Sequence, residues 1–305
     1  MTQLSVLQHS SCIMKFSLVV PTIGRDRELR LLLASLVVQT RQNFEVIVVD
    51  QSQGDAIAVV VDEFRDRLSI THFRMSQRGL TRARNFGWER ARGEILNFPD
   101  DDCTWPPNLL AEVEARLDAR PALDALVTRV EKMSRTDAKG GLVNRDNIFR
   151  RCVEFAVFFR RARMGDLRYD EQIGLNQGTP WAADEGPDLM LRMIDRRMSI
   201  EYFPELCIYH PDPLKLSPRK LWARTLGYSR GRGYVLRKHG YSLLTVGHTL
   251  VRSLGGAILM FSCGRWTMAG MYWLSFWGKC VGYLEGERAT NQAVHSPIAS
   301  DSSDR

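Results

Sequence analysis

Cysteine is scarce in this chain. Six cysteines among 305 residues (Cys12, Cys103, Cys152, Cys207, Cys263, Cys280) are too few for a disulfide scaffold, and no two stand in a Cys-x-x-Cys pair, which argues against a zinc knuckle. The N-terminus lacks the basic start, apolar run and small-residue cleavage site of a secretory signal, so a cytoplasmic setting with reduced thiols is expected. Internal repeats are missing. Long uncharged runs are missing too: between Ser253 and Gly278, Arg265 splits the apolar C-terminal region into runs of 12 and 13 residues, short of the ~20 needed to span a bilayer. Acidic residues are absent between Asp212 and Glu285, a stretch with eleven lysines and arginines. The whole chain is +7, so the remainder is net −4. A mildly acidic body with a basic, apolar tail suggests an anionic partner for the tail, either membrane lipid or nucleic acid.

What is present reads as globular. Hydrophobic residues at 44% and charged residues at 25% exclude wholesale disorder, collagen and coiled coil. Phe16–Val20 is a short β-branched run stopped by Pro21, and Arg25–Thr40 places Leu29, Leu32, Leu33, Leu36 and Val37 at helical spacing. Phe44–Val49 is a second strand ending at Asp50; residues 56–67 read as helix, 70–73 as a third strand and 81–92 as a helix broken by Gly93. A fourth strand, 94–98, runs into Pro99 and three aspartates. Strand and helix in alternation predict an α/β fold with a mostly parallel sheet and helices on both faces. Ligands in such sheets bind beyond the carboxyl ends of the strands, here Pro21-Thr22, Asp50 and Asp100–Asp102. Further on, 107–119, 188–197 and 200–203 read as helix, helix and strand, with an irregular arginine-rich stretch between.

Asp100, Asp101 and Asp102 repel one another unless a cation neutralises them. Hard oxygen donors suit magnesium or manganese, held jointly with a substrate's phosphates. A solvated acidic turn is the plain alternative, and the strand-end position favours the metal. Asp50 ends its strand in the same way and is suited to a ribose or base. Arg78, Arg82 and Arg84 lie ahead of the acidic turn, where an arginine can pair with a diphosphate.

In order and spacing, the first hundred residues resemble the family-2 glycosyltransferases, which have the GT-A fold. The resemblance rests on Phe16-Ser-Leu-Val-Val-Pro-Thr-Ile-Gly-Arg25, on Gln39-Thr40, on Phe44-Glu-Val-Ile-Val-Val-Asp50-Gln-Ser, on Gly79-Leu-Thr-Arg-Ala-Arg-Asn-Phe-Gly87 and on Gly93-Glu-Ile-Leu-Asn-Phe-Pro-Asp-Asp-Asp102. It implies a nucleotide-sugar donor, UDP- or dTDP-linked, and inversion at the anomeric carbon. Thr22 and Asp50 would hold the nucleoside, and Arg84 the base or diphosphate. Asp100, Asp101 and Asp102 would form the donor and DXD metal turn, with Asp102 the direct Mn2+ or Mg2+ ligand. Gln51 departs from the family, which commonly has a second aspartate there.

Trp181–Arg192 resembles the family's acceptor-side acidic motif, but Gly186 stands at the usual position of the base. Glu185 is the nearest substitute, with Asp184 and Asp188 behind it, and Asp188 reads equally as a helix cap. His210, after Phe203–Tyr209, resembles a histidine that can complete the metal shell. The expected organisation is a 1–14 leader, a GT-A domain over 15–215, a basic, apolar helical segment over 216–286 and a disordered tail over 287–305. In the tail segment, Leu243, Val246, Leu250, Val251, Leu254, Ile258 and Phe261 share one helical stripe opposite His248 and Arg252. Helices lying on the inner face of the cytoplasmic membrane are the first expectation; a subdomain packed on the core, or a span, are the alternatives. The function expected is an inverting, metal-dependent transfer to a saccharide or lipid-linked acceptor in bacterial surface polysaccharide synthesis, with no nucleic acid expected. A related nucleotidyltransferase or a non-enzymatic binding protein is the alternative.

Overall fold

The computed structural model describes residues 14–131, 137–211 and 217–295, with side chains to Gly286. The expected leader lies almost wholly outside them, as does the expected boundary at 215/216. One eight-stranded sheet organises the chain in the order β3-β2-β1-β4-β7-β5-β8-β6. β1 (Phe16–Thr22) and β2 (Phe44–Asp50) are buried at every position. This is the continuous apolar pattern of a parallel strand covered on both faces. β3 (Ile70–Arg74), β2, β1 and β4 (Ile95–Asn97) run parallel. The register pairs Thr22 with Asp50, so these two strands end level. β7 (Val157–Arg160) then inserts antiparallel between β4 and β5 (Ala125–Val130). β8 (Ile200–Ile208) runs parallel to β5, and the short β6 (Gly141–Leu142) closes the edge antiparallel to β8.

Helices pack on both faces as the alternation predicts. α1 (Asp26–Val37) buries Leu29, Leu32, Leu33 and Leu36. α2 (Ala56–Asp62) stops short of the predicted end at 67, the remainder being turns. α3 (Leu80–Trp88) crosses β1 so closely that a Cβ on Gly87 would stand 2.3 Å from Val19 Cγ1. That approach directs Ala83 into the core and Arg84 toward the strand ends, while Asn85 pins the backbone of Tyr169 through Nδ2 and Oδ1. α4 (Leu109–Asp118) follows the acidic turn, and α5 (Ile148–Arg151) is a single turn. α6 (Glu185–Asp195) starts earlier than predicted, which moves Asp188 from a cap into the helix interior.

The C-terminal third is three long helices, α7 (Pro218–Lys238), α8 (Leu243–Ser262) and α9 (Trp266–His295). The chain is thus helical nine residues into the tail expected to be disordered; residues 296–305 lie outside those described. α7 and α9 meet through glycines. A Cβ on Gly282 would stand 2.0 Å from the Arg230 carbonyl oxygen, and one on Gly233 2.2 Å from that of Lys279. Gly278, Gly282 and Gly286 recur every four residues and so share the α9 face turned to α7. Gly282→Ala should therefore overpack the seam and cost about 1–3 kcal/mol, read as a lowered unfolding midpoint in urea.

α7 is also fastened to the sheet domain. Arg232 binds both oxygens of Asp184, Lys238 pairs with Asp170 and Asp188 at 2.6 and 2.7 Å, and the Trp181 and Tyr234 rings stack 3.7 Å apart. Arg230 pairs with Glu285. Part of the tail's positive charge therefore has its anionic partner inside the protein. On α8 the packed residues are Val246, Ser253 and Ala257, while Leu243, Val251, Ile258 and Phe261 of the expected stripe are exposed. Leu244, Leu259, Trp266, Trp273 and Trp277 extend this bare apolar surface. Where the uncharged runs fall short of a span, the helix does not: by length and composition alone α8 is long and apolar enough to cross a membrane, with Arg252 at its middle.

Candidate active site

The carboxyl ends of β1, β2 and β4 open onto one crevice, and the acidic turn lies at its centre. Each of the three aspartates has a different environment. Asp101 is buried and turns inward, accepting hydrogen bonds from Thr22 Oγ1 and Arg25 Nη1, both at 2.8 Å. Burial pushes its carboxyl up to about 7 against the pull of Arg25 and Thr22. Asp100 Oδ1 accepts from Arg84 Nη2 at 3.0 Å, and burial raises its pKa above the usual range despite Arg84. Asp102 Oδ2 is held by Arg25 Nη2 at 2.6 Å. Burial opposes its ionisation, but His210 and Arg25 outweigh burial and hold the pKa below the usual value.

His210 reaches this turn from the far end of the sheet. A bridge of two 3.0 Å hydrogen bonds between Thr104 and Tyr209 clamps the segment after β8 to the segment after the acidic turn. His210 stacks on Phe155 and donates from Nδ1 to the Pro211 carbonyl at 2.7 Å, so Nε2 is the atom left facing Asp102 Oδ1, 3.2 Å away. Asp100, Asp102 and His210 each offer one ligand atom within 4.8 Å of the others. Asp102 Oδ1 is buried and, apart from the His210 Nε2 contact, has no hydrogen-bond partner among the described residues. A buried carboxylate oxygen beside an imidazole and a second carboxylate is a donor set that fits manganese or magnesium.

Thr22 and Asp50, the residues expected to hold a nucleoside, both have partners within the protein. Thr22 is spent on Asp101. Asp50 is buried and accepts from the Ser52 backbone N–H at 2.8 Å, with His72 Nε2 at 3.1 Å from its other oxygen. A cavity of about 120 Å³ at the strand ends is lined by Pro21, Thr22, Arg25, Gln51, Asp100 and Asp101 among others. Gln51, not Asp50, faces it. The Gln51 amide bonds the carbonyls of Gln77 and Gly79, so the residue that replaces an aspartate here anchors the loop leading into α3.

Arg84 is fully buried and is not among the residues lining the strand-end cavity. It joins Asp100 to Glu185, each at 3.0 Å, beside the Tyr169 ring. All three expected acceptor-side acids are already held by cations. Glu185 is 3% exposed and bound to Arg84, and burial and Glu154 push it up to about 8. Asp184 caps α6 in a left-handed conformation (φ 76°) and is gripped by Arg232. Asp188 is buried among Arg192, Lys238 and His239, which keep its pKa well below the usual range despite burial. Asp188 thus ties α6 to the end of α7.

A cleft of about 390 Å³ adjoins the acidic turn, lined by Asp100, Glu154, Asp184, Glu185 and His210 from the sheet domain and by Arg224, Tyr228 and Arg232 from α7. Sequence reasoning missed Glu154 and the three α7 residues. Glu154 is the one carboxylate of this cleft in no ion pair among the described residues. Burial, Asp100 and Asp184 raise its pKa, and Arg84 lowers it. It faces Gly186: a Cβ on that glycine would stand 2.4 Å from Glu154 Cβ. The missing side chain at 186 is what makes room for this acid, and that was the one available signal.

A Glycosyl transferase family 2 model matches residues 17–172 of the 305. The chain belongs to this family. Among curated relatives, an uncharacterized glycosyltransferase of Haemophilus influenzae is 32% identical over 108 residues, which is 35% of this chain and 36% of that protein. The poly(ribitol-phosphate) beta-N-acetylglucosaminyltransferase TarS of Staphylococcus aureus is 31% identical over 109 residues, 34% of this chain and 19% of TarS. The match thus spans about a third or less of either relative. Among solved structures, TarS 1–349 in complex with UDP-GlcNAc superimposes with a TM-score of 0.57 at 16% identity over 92% of both chains. The mannosyltransferase PcManGT of Pyrobaculum calidifontis, in complex with GDP-Man and Mn2+, gives 0.59 at 16% identity, covering 92% of this chain and 88% of that one. The family-2 chain therefore has the GT-A glycosyltransferase fold.

Proposed function

We propose that this family-2 chain transfers a sugar, with inversion, from a nucleoside diphosphate donor to a saccharide on a lipid-linked acceptor in surface polysaccharide synthesis. The observation that carries the reading is the meeting of Asp100, Asp102 and His210 with an unpaired carboxylate, Glu154, along one cleft. TarS and PcManGT, which share the fold, bind UDP-GlcNAc and GDP-Man with Mn2+. In this reading Asp100, Asp102 and His210 hold manganese or magnesium, which when bound would neutralise the leaving diphosphate. Arg25 steadies the acidic turn from the donor side, and Arg84 fixes the distance between that turn and the acceptor side. Glu154 takes the proton of the attacking hydroxyl; Glu185, hydrogen-bonded by Arg84, keeps that arginine between Asp100 and the cleft.

The membrane part of the reading rests on the bare apolar faces of α8 and α9. A charge at the bilayer centre costs about 2.5–3.5 kcal/mol even by the lenient insertion scale, so Arg252 favours α8 lying on the inner membrane face over crossing it. Calorimetric titration of UDP, dTDP and GDP, with and without manganese, tests the donor half. One nucleotide should bind tightly only with metal, and Asp102→Ala should remove that metal-dependent gain. If no nucleotide binds in either condition, the transferase reading fails.

A further inference from the structure

A second cavity, of about 290 Å³, opens between α5, α7, α8 and α9. Its walls carry Arg145, Arg150, Arg232, Arg252 and Lys279 against a single acid, Asp146. Two of these cations are occupied within the protein, Arg145 by Asp195 and Arg232 by Asp184. Lys279 donates to the Ser253 hydroxyl at 2.6 Å. Arg150 and Arg252 form no ion pair among the described residues, and Thr245, Ser275 and Tyr272 add hydroxyls to the same walls. Guanidinium forks and hydroxyl donors around a hollow are a phosphate-binding chemistry. At about 30 Å³ per water, the hollow has room for a diphosphate with part of its hydration.

Its position narrows the ligand further. The cavity shares Phe149, Arg150 and Arg232 with the cleft that holds Glu154, so one ligand can occupy both. α8 and α9, which wall this cavity, also carry exposed apolar side chains. An acidic cleft, a basic cavity and apolar helix surfaces thus lie on adjoining elements, a combination that suits the saccharide, phosphate and hydrocarbon of a lipid-linked sugar. We propose that this cavity binds the phosphate or diphosphate that joins the acceptor saccharide to its apolar carrier. The proposal rests on the transferase reading and adds the acceptor's anionic group to it.

The test titrates inorganic pyrophosphate into the full chain without divalent metal, beside Arg252→Ala and Arg150→Ala/Arg252→Ala. Both arginines are exposed, so the variants should fold, and retained UDP binding with manganese verifies it. Pyrophosphate should bind the unmodified protein and weaken about tenfold per arginine removed, while Arg25→Ala, at the strand-end cavity, leaves its binding in place. Co-sedimentation with phosphatidylglycerol–phosphatidylcholine vesicles should persist in the double variant, because the apolar faces of α8 and α9 are intact. Unchanged pyrophosphate affinity in the double variant overturns the proposal. So does weakening by Arg25→Ala as large as by Arg252→Ala, which would locate the pyrophosphate at the strand-end cavity. Loss of vesicle binding with pyrophosphate unaffected overturns it too, and makes the arginines a lipid-headgroup surface. A protein that binds pyrophosphate as expected but no nucleotide keeps the anion site and loses the transferase reading.

Discussion

Glu154→Gln should lower the turnover number by about 10²–10⁴-fold, the usual contribution of a positioned base, and leave metal-dependent UDP binding unchanged. The amide keeps the size of the carboxylate and removes its proton affinity. Glu154 lines the cleft beside Asp100 and His210, and no cation engages it in an ion pair among the described residues. Asp184, Glu185 and Asp188 by contrast are held by Arg232, Arg84 and the Lys238–His239 pair. Burial raises the Glu154 pKa above the model-peptide carboxylate value. A base works only when ionised, so the rate of the unmodified protein should fall as pH drops through that raised pKa. The residual rate of Glu154→Gln should lack this fall. Initial rates across pH with saturating donor measure both. Full activity in Glu154→Gln, with loss in Glu185→Gln, would return the base to the residue favoured by sequence spacing.

The strands that end at the crevice were legible because they are largely apolar runs ending in polar residues. Phe16–Thr22, Phe44–Asp50 and the acidic turn needed no knowledge of distant contacts. His210 was legible by its place after β8, although the bridge that brings it to Asp102 joins residues a hundred positions apart. Glu154 was not legible, because it lies in an irregular stretch where neither a period of 2 nor one of 3.6 appears. It enters the site only because β7 inserts antiparallel between β4 and β5. The basic tail was legible only in part, for a related reason. Composition counts the charges of Arg230, Arg232 and Lys238 but not Glu285, Asp184 and Asp170 opposite them. On α8 the apolar stripe was legible but not the packing: α9 approaches through small residues, Ser253 and Gly256, so most of the largest apolar side chains stay exposed.

Arg84→Met should be the most destabilising single change at the site. Arg84 is fully buried and is the only cation in an ion pair with Asp100 or Glu185 among the described residues. Methionine fills most of the space and supplies no charge, leaving acids buried without their partner. Breaking a buried ion pair from one side costs about 3–5 kcal/mol. The cost should depend on pH, and the sign follows from linkage. Burial already raises the Glu185 carboxyl to about 8 in the folded protein. Between the unfolded value of about 4.3 and that pKa the native state holds a proton that the unfolded state has shed. Its contribution is therefore full below the unfolded pKa and is lost as pH rises toward 8. Removing Arg84 raises the folded pKa values further, so the variant should lose more stability at pH 8 than at pH 5. Urea unfolding at the two values reads this directly. Adding Glu185→Gln to Arg84→Met removes one of the stranded charges and should recover part of the stability at pH 8. It should not recover activity, since Asp100 still lacks the arginine that sets its distance from the acceptor side. Equal losses at pH 5 and pH 8 would show that Arg84 acts by packing on Tyr169 alone, and the double variant would then recover nothing.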